Sequence, residues 1–215
     1  MIRLAKVSEP AILVDNSADW LEALTDKIAS GKVILAVEKS RYRHRDIKSA
    51  LIEETHGKCA YCETKFLHTD FGDIEHIVPK SLHIDKTFEW SNLTLACGKC
   101  NTSKGDEEFI VNPYVDDPAT YFNFIGPMIC GISSDLKAIN TERRLQLNRA
   151  ELVERRSARL KAISDQLILI AQAQNDAIRD TLERDLVLNE MQDHSEFSAF
   201  VRSFVNTLRQ LENSA

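Results

Sequence analysis

The sequence predicts an α+β protein, mostly helical, in which a small cysteine-stapled core sits between N-terminal helices and a C-terminal helical region. Three observations carry this. Two C-x-x-C pairs, Cys59/Cys62 and Cys97/Cys100, bracket a segment with two short strand-like runs: 73–78, broken by Pro79, and 93–96. From Thr141 onward Leu145, Leu152, Leu160, Ile163, Leu167 and Ile170 form an apolar stripe with no Gly or Pro between them. A last segment, 195–211, carries Phe197, Phe200, Val201, Phe204, Val205 and Leu208 at helical spacing. The expected organisation is an N-terminal helical lead-in over 1–56, the core with its flanking platform over 57–135, and a helical region over 136–215.

Each element has its own signal. Residues 1–15 begin with alternating and apolar residues and contain Pro10, which predicts an extended lead-in. Trp20, Leu21, Leu24 and Ile28 follow the capping residues Ser17 and Asp19, which predicts a helix over 19–29 ended by Gly31. A second helix begins near Arg45, with Ile47, Leu51 and Ile52 on one face, and stops at Gly57. Lys39, Arg41, Arg43, Arg45 and Lys48 stand there against only Asp46, so this basic stretch is either a phosphate contact or a solvated face. Tyr121, Phe122, Phe124 and Ile125 read as a strand before Gly126-Pro127, with 129–132 pairing back onto it. Arg143, Arg144, Arg149, Arg155, Arg156 and Arg159 make the start of the helical region basic, with the same two readings. A further helix runs from Asn175-Asp176 to about 189, and Cys130, next to Met128 and Ile129, reads as a small buried hydrophobe.

With 215 residues, the chain holds one sizeable domain or two small ones. No apolar run is long enough to cross a bilayer and no signal-peptide pattern opens the chain, so the expectation is a cytoplasmic protein with no membrane partner. The net charge of −6 argues against a protein that grips nucleic acid with its whole surface. If nucleic acid is the substrate, the grip comes from local basic patches or from a partner. In a reducing compartment the cysteines are poor candidates for disulfides. Two C-x-x-C pairs instead give a closed four-thiolate zinc site of the structural kind, which fastens the ends of 63–96 together.

Inside that clip the residues are similar to a known family. E-H-I-V-P-K-S at 75–81, W-S-N-L at 90–93 and C-G-K-C-N-T-S-K at 97–104 resemble the ββα-metal signature of HNH nucleases, in the subgroup stapled by four cysteines. The likeness covers roughly 57–106. It implies a metal-dependent endonuclease that hydrolyses phosphodiester bonds, with His76 as general base. It also implies Glu75 and Asn101 as ligands of a catalytic divalent ion, Mg²⁺ or Mn²⁺ by their oxygen chemistry. By the same likeness Asn92 matches the central Asn that ties the loop backbone and orients His76, and Lys104 and Lys80 would be nucleic-acid contacts. Asp73 is a possible auxiliary acid whose spacing from His76 fits the ligand position less well than that of Glu75. Many relatives carry Asp where this chain has Glu75, so its carboxylate reaches one methylene further. His44, His56, His68, His83 and His194 match nothing in the motif and read as surface or structural.

The flanks carry a second resemblance. M-I-R-L-A-K-V-S-E-P, N-P-Y-V-D-D-P-A-T-Y-F-N-F and I-N-T-E-R-R-L-Q-L-N-R-A-E-L-V-E-R-R look like the PtuB family, the HNH subunits of Septu and related retron defence systems. That implies anti-phage nucleic-acid cleavage beside a PtuA-like ATPase, with a retron reverse transcriptase and its DNA as further partners. The helical tail is then the natural docking surface. Two rivals stand beside this reading: a stand-alone restriction-type HNH endonuclease, and a zinc-stapled binding module with no catalysis.

Overall fold

The computed structural model describes residues 1–212 and 214. Helix α1 (Ala11–Ala29) starts directly after Pro10, well before the predicted start at 19. Proline's fixed φ and missing N–H suit a helix start, where an N–H has no partner anyway, and the Pro10 carbonyl accepts from Leu13 and Val14 N–H. The extended lead-in is therefore confined to the first nine or so residues. Gly31, at φ 64°, ends the helix. Its N–H bonds to Ile28 and that of Lys32 to Lys27, a Schellman closure.

One helical turn, α2 (Ala36–Lys39), and a tight turn over Arg41–Arg43 lead into α3 (Arg45–Glu54). His44 caps α3, its Nδ1 accepting the Asp46 N–H at 3.3 Å. Left-handed His56 and Gly57 then turn the chain into the first cysteine knuckle. Beyond the knuckle, β1 (Asp73–His76) pairs antiparallel with β2 (Leu93–Ala96), Glu75 opposite Thr94 and His76 opposite Leu93. Helix α4 (Gly98–Lys104) follows at once with Cys97 as its N-cap, completing a ββα unit. A hairpin, β3 (Phe122–Ile125) and β4 (Met128–Gly131), makes the platform, and Cys130 in it is half-buried rather than buried.

The helical region departs from the sequence pattern in one place. The unbroken stripe is split into α5 (Leu136–Arg144) and α6 (Ala150–Ala171). Gln146 takes the left-handed conformation at φ 49°. Its N–H bonds to Arg143 and that of Leu147 to Glu142, another Schellman closure without the glycine that advertises it. Helix α7 (Asp176–Asp185) and α8 (Ser198–Glu212) complete the chain, and α7 runs on into a wide turn over Leu186–Glu190.

One continuous apolar cluster draws on all parts: Leu13 of α1, Ile47 and Leu51 of α3, Leu93 and Leu95 of β2, Leu145, and Phe197 and Phe200 at the start of α8. A smaller one holds α6, α8 and the turn after α7 through Ile163, Ile170, Leu186, Val201 and Val205. No helix among the described residues is long and apolar enough to cross a membrane.

Candidate active site and metal centre

The cysteine centre is built from two turns. In the first, Cys59 N–H bonds to Thr64 O and Glu63 N–H to Cys59 O, with Glu63 at a positive φ of 63°. This tight loop aims Cys59 and Cys62 the same way. The second pair comes from the β2–α4 junction, where Cys97 is the N-cap and Cys100 lies on the first turn of the helix. The four sulfurs lie within 4.8 Å of one another and all four residues are buried. Cys62 Sγ to Cys97 Sγ is 3.9 Å, close to the edge of ~3.8 Å expected for a tetrahedron with metal–sulfur bonds of about 2.3 Å. Donor type, number and spacing therefore fit one tetrahedrally bound metal ion. Arg149 adds a cation from the α5–α6 junction, its guanidinium 3.7 Å from Cys100 Sγ and 4.0 Å from Cys97 Sγ.

A cleft of about 260 Å³ lies along β1 and α4, and its lining includes Tyr42, Arg43, Asp73, Glu75, His76, Lys80 and Asn101. Four of these seven come from the cysteine-clipped segment, Asn101 directly follows its last cysteine, and two, Tyr42 and Arg43, come from the turn before α3. A larger cavity, about 640 Å³, lies against β3 and α8. It holds none of the motif residues.

His76 ends β1 and is buried. Its Nε2 is 3.0 Å from Thr87 O. A carbonyl can only accept, so Nε2 carries the proton and Nδ1 keeps the lone pair of the neutral ring. Burial brings the imidazole down to about 4; the Thr87 carbonyl acts the other way, and Lys80, Lys104 and Arg43 add to the depression. The ring meets Tyr42 edge-to-face, centroids 4.5 Å apart.

Asn92 closes the loop after β1. Its Oδ1 accepts the Val78 N–H at 2.7 Å, and its Nδ2 donates to Val78 O at 2.9 Å and Lys86 O at 3.1 Å. Asp73 and Glu75, two apart on β1, share a strand face. Asn101 Nδ2 donates to Asp73 Oδ2 at 2.8 Å, which leaves the amide oxygen for another partner. Burial pushes the Glu75 carboxyl above its usual range, against the opposing pull of Lys104. Glu75, Asp73 and Asn101 offer hard oxygen donors in one cleft, chemistry that fits a divalent Mg²⁺-type ion.

Lys104 is placed differently from the role the resemblance gives it. It is wholly buried, with its ammonium 2.9 Å from Glu75 Oε1 and 2.9 Å from His76 O. A side chain enclosed between the carboxylate and the strand end does not reach a phosphate in solvent. Lys80 is half-exposed; its ammonium donates to the Tyr42 hydroxyl and sits 4.1 Å from the ring centroid. Sequence reasoning missed Tyr42 altogether. The only signal for it was its place between Arg41 and Arg43 in the basic stretch.

The outlying histidines hold structural or surface places, His44 as a cap and His83 paired with Glu108 at 2.5 Å.

Strand, strand and helix around a His-bearing cleft, clipped by four cysteines, define an HNH-type ββα protein, and residues 59–107 match the HNH endonuclease family. The chain is 32% identical over 220 residues to the Septu protein PtuB of Bacillus thuringiensis, across 94% of this chain and 81% of that protein. It is 25% identical over 202 residues to the Septu protein PtuB of Bacillus mycoides strain KBAB4, across 76% of this chain and 68% of that one. It belongs to the Septu PtuB family.

Proposed function

We propose that this protein is a metal-dependent HNH endonuclease, the nucleic-acid-cleaving subunit of a Septu anti-phage system that works beside a PtuA-like ATPase. The observation that carries the reading is His76: a buried neutral imidazole with Nε2 committed to Thr87 O and Nδ1 left as a base, beside Glu75 and Asn101. Nδ1 takes the proton of a water as its oxygen bonds to phosphorus. The phosphorus–O3′ bond breaks, and the leaving oxygen is protonated from solvent. Glu75 and Asn101 would hold Mg²⁺ or Mn²⁺, which would supply positive charge to the scissile phosphate and the departing oxygen. Asn92 fixes the loop from which His76 works. The four thiolates are soft donors in a closed set and hold Zn²⁺ as a structural ion.

A second reading, a zinc-stapled binding module, has one observation in its favour: Glu75 is already paired with Lys104. One experiment separates the two. The chain, alone and with any co-purifying ATPase, is incubated with DNA and with RNA plus Mg²⁺ or Mn²⁺. The endonuclease reading expects cleavage abolished by chelation and by His76→Ala at unchanged zinc content. Cleavage undiminished in His76→Ala overturns the mechanism, and binding without cleavage in every condition supports the module.

A further inference from the structure

We infer that Arg43 and Lys80, held against the ring of Tyr42, form the subsite that grips a backbone phosphate of the substrate next to the one that is cut. This rests on the nuclease reading and deepens it, since it names where an acidic chain makes its electrostatic hold.

Both cations line the cleft that contains Glu75 and His76. Lys80 Nζ is 4.1 Å and the Arg43 guanidinium carbon 5.8 Å from the Tyr42 ring centroid. Two positive charges thus lie within 6 Å of one aromatic ring centre, and among the described residues neither has a carboxylate within ion-pair distance. The acids of the cleft are engaged elsewhere. Glu75 is paired with Lys104, Asp73 accepts from Asn101, and Asp106 accepts from Ser81 at 2.6 Å. Neighbouring cations are also committed: Arg45 bonds to Asp46, and the Lys48 ammonium to Gly72 O. In a chain of net charge −6 with 33 acidic residues, two cations without counter-ions lining one cleft leave a positive charge that an anion would offset. A phosphodiester is the anion the neighbouring chemistry requires. The Tyr42 hydroxyl holds the flexible Lys80 side chain in place, which lowers the entropy lost when phosphate binds. Lys104 is excluded from that role by its burial.

The test is binding, not cleavage. Fluorescence anisotropy with a 5′-labelled oligonucleotide, as single strand and as duplex, in DNA and in RNA, is measured across salt concentrations in the His76→Ala background. The protein is used alone and with any partner that co-purifies. Arg43→Ala and Lys80→Met are each expected to weaken binding several-fold and to flatten the plot of log affinity against log salt. The double variant should lose a slope of about 0.7–0.9, the share of the one phosphate that the two cations grip. Arg43→Lys should keep most of the slope, and Tyr42→Phe should weaken binding less than Lys80→Met. Melting temperature and zinc content should stay at the parent values in all of them. Parent-like affinity and slope in the double variant overturn the subsite while leaving the nuclease reading untouched. So does a parent that binds no probe at low salt. A parent that binds with this slope but never cuts, with His76 restored, overturns the nuclease reading and leaves the subsite standing.

Discussion

Replacing Asn92 tests the loop that carries the candidate base. The side chain is 4% exposed and makes three hydrogen bonds, one accepted from Val78 N–H and two donated to Val78 O and Lys86 O. At about 1 kcal/mol net for each, Asn92→Ala should cost about 3 kcal/mol. For a chain of this size that corresponds to a fall in melting temperature of roughly 6–12 °C. Asn92→Asp sharpens the argument. The carboxylate keeps the bond from Val78 N–H but turns both donor contacts into oxygen facing oxygen, in a place with almost no water. It should therefore destabilise at least as much as alanine, although it is the closer isostere. Urea unfolding of the three proteins, followed by tryptophan fluorescence and by far-UV circular dichroism, gives both differences. A loss below about 1 kcal/mol for Asn92→Ala, or an Asn92→Asp protein as stable as the parent, would refute the three-bond account.

Removing one thiolate by Cys97→Ala, or chelating the metal, should lower bound zinc and the melting temperature together, read by metal analysis and calorimetry; full zinc and stability would show that the four-cysteine centre is misassigned. Lys104→Met leaves the Glu75 carboxylate buried without its ammonium and should cost about 3–5 kcal/mol in urea unfolding. Adding Glu75→Gln should recover much of that loss, and additive penalties would deny the pair. For His76, the folded value of about 4 lies below the ordinary 6.5. Between those two values the unfolded chain binds a proton that the folded chain does not, so stability should rise with pH across that window and be complete above it. Unfolding measured from pH 4 to 7 should show a flatter rise in His76→Ala than in the parent, and identical slopes would refute it.

What the sequence made legible follows from how local each signal is. Metal-ligand spacing is local, so the two cysteine turns and their pairing could be read directly, and the structure gathers all four sulfurs. Strand breaks at Pro79 and Gly126, and helix ends at Gly31, were equally plain because those residues restrict the backbone by themselves. The misreadings arose where an ordinary residue does an unusual job. Gln146 takes a conformation that glycine usually advertises, so the break between α5 and α6 carried no signal. Pro10 reads as extended chain from sequence alone, yet its fixed φ serves equally well to begin a helix. Within the cleft the hidden part is tertiary. Nothing near Lys104 in sequence says that its ammonium will be enclosed between Glu75 and His76, and nothing near Tyr42 says that it will lie on the imidazole.

The same contacts explain why a unit of about fifty residues comes with so much flanking chain. Its two strands have four residues each and cannot bury a core alone. The flanks supply what is missing, and they do so at the points that position chemistry. From the N-terminal side the Lys6 ammonium bonds to Leu93 O and, at 2.9 Å, to Glu54, and Trp90 Nε1 donates to Val7 O at 3.1 Å. These brace the turn on which Asn92 sits. From the C-terminal side the Glu63 carboxylate, held in the first cysteine knuckle, accepts from Ser198 Oγ at 3.1 Å and Ala199 N–H at 3.3 Å. Lys58 Nζ donates to Ser195 O at 3.0 Å, and Arg149 reaches the thiolates. Both flanks are thus bonded to the devices that set the geometry of the cleft, the N-terminal one to the Asn92 loop and the C-terminal one to the cysteine clip, which the Met1 ammonium also reaches through Glu63 at 2.5 Å. A change of position in α8 or α6, of the kind a docked partner would impose, would reach the knuckle through Glu63, Lys58 and Arg149 before it reached any residue that touches substrate.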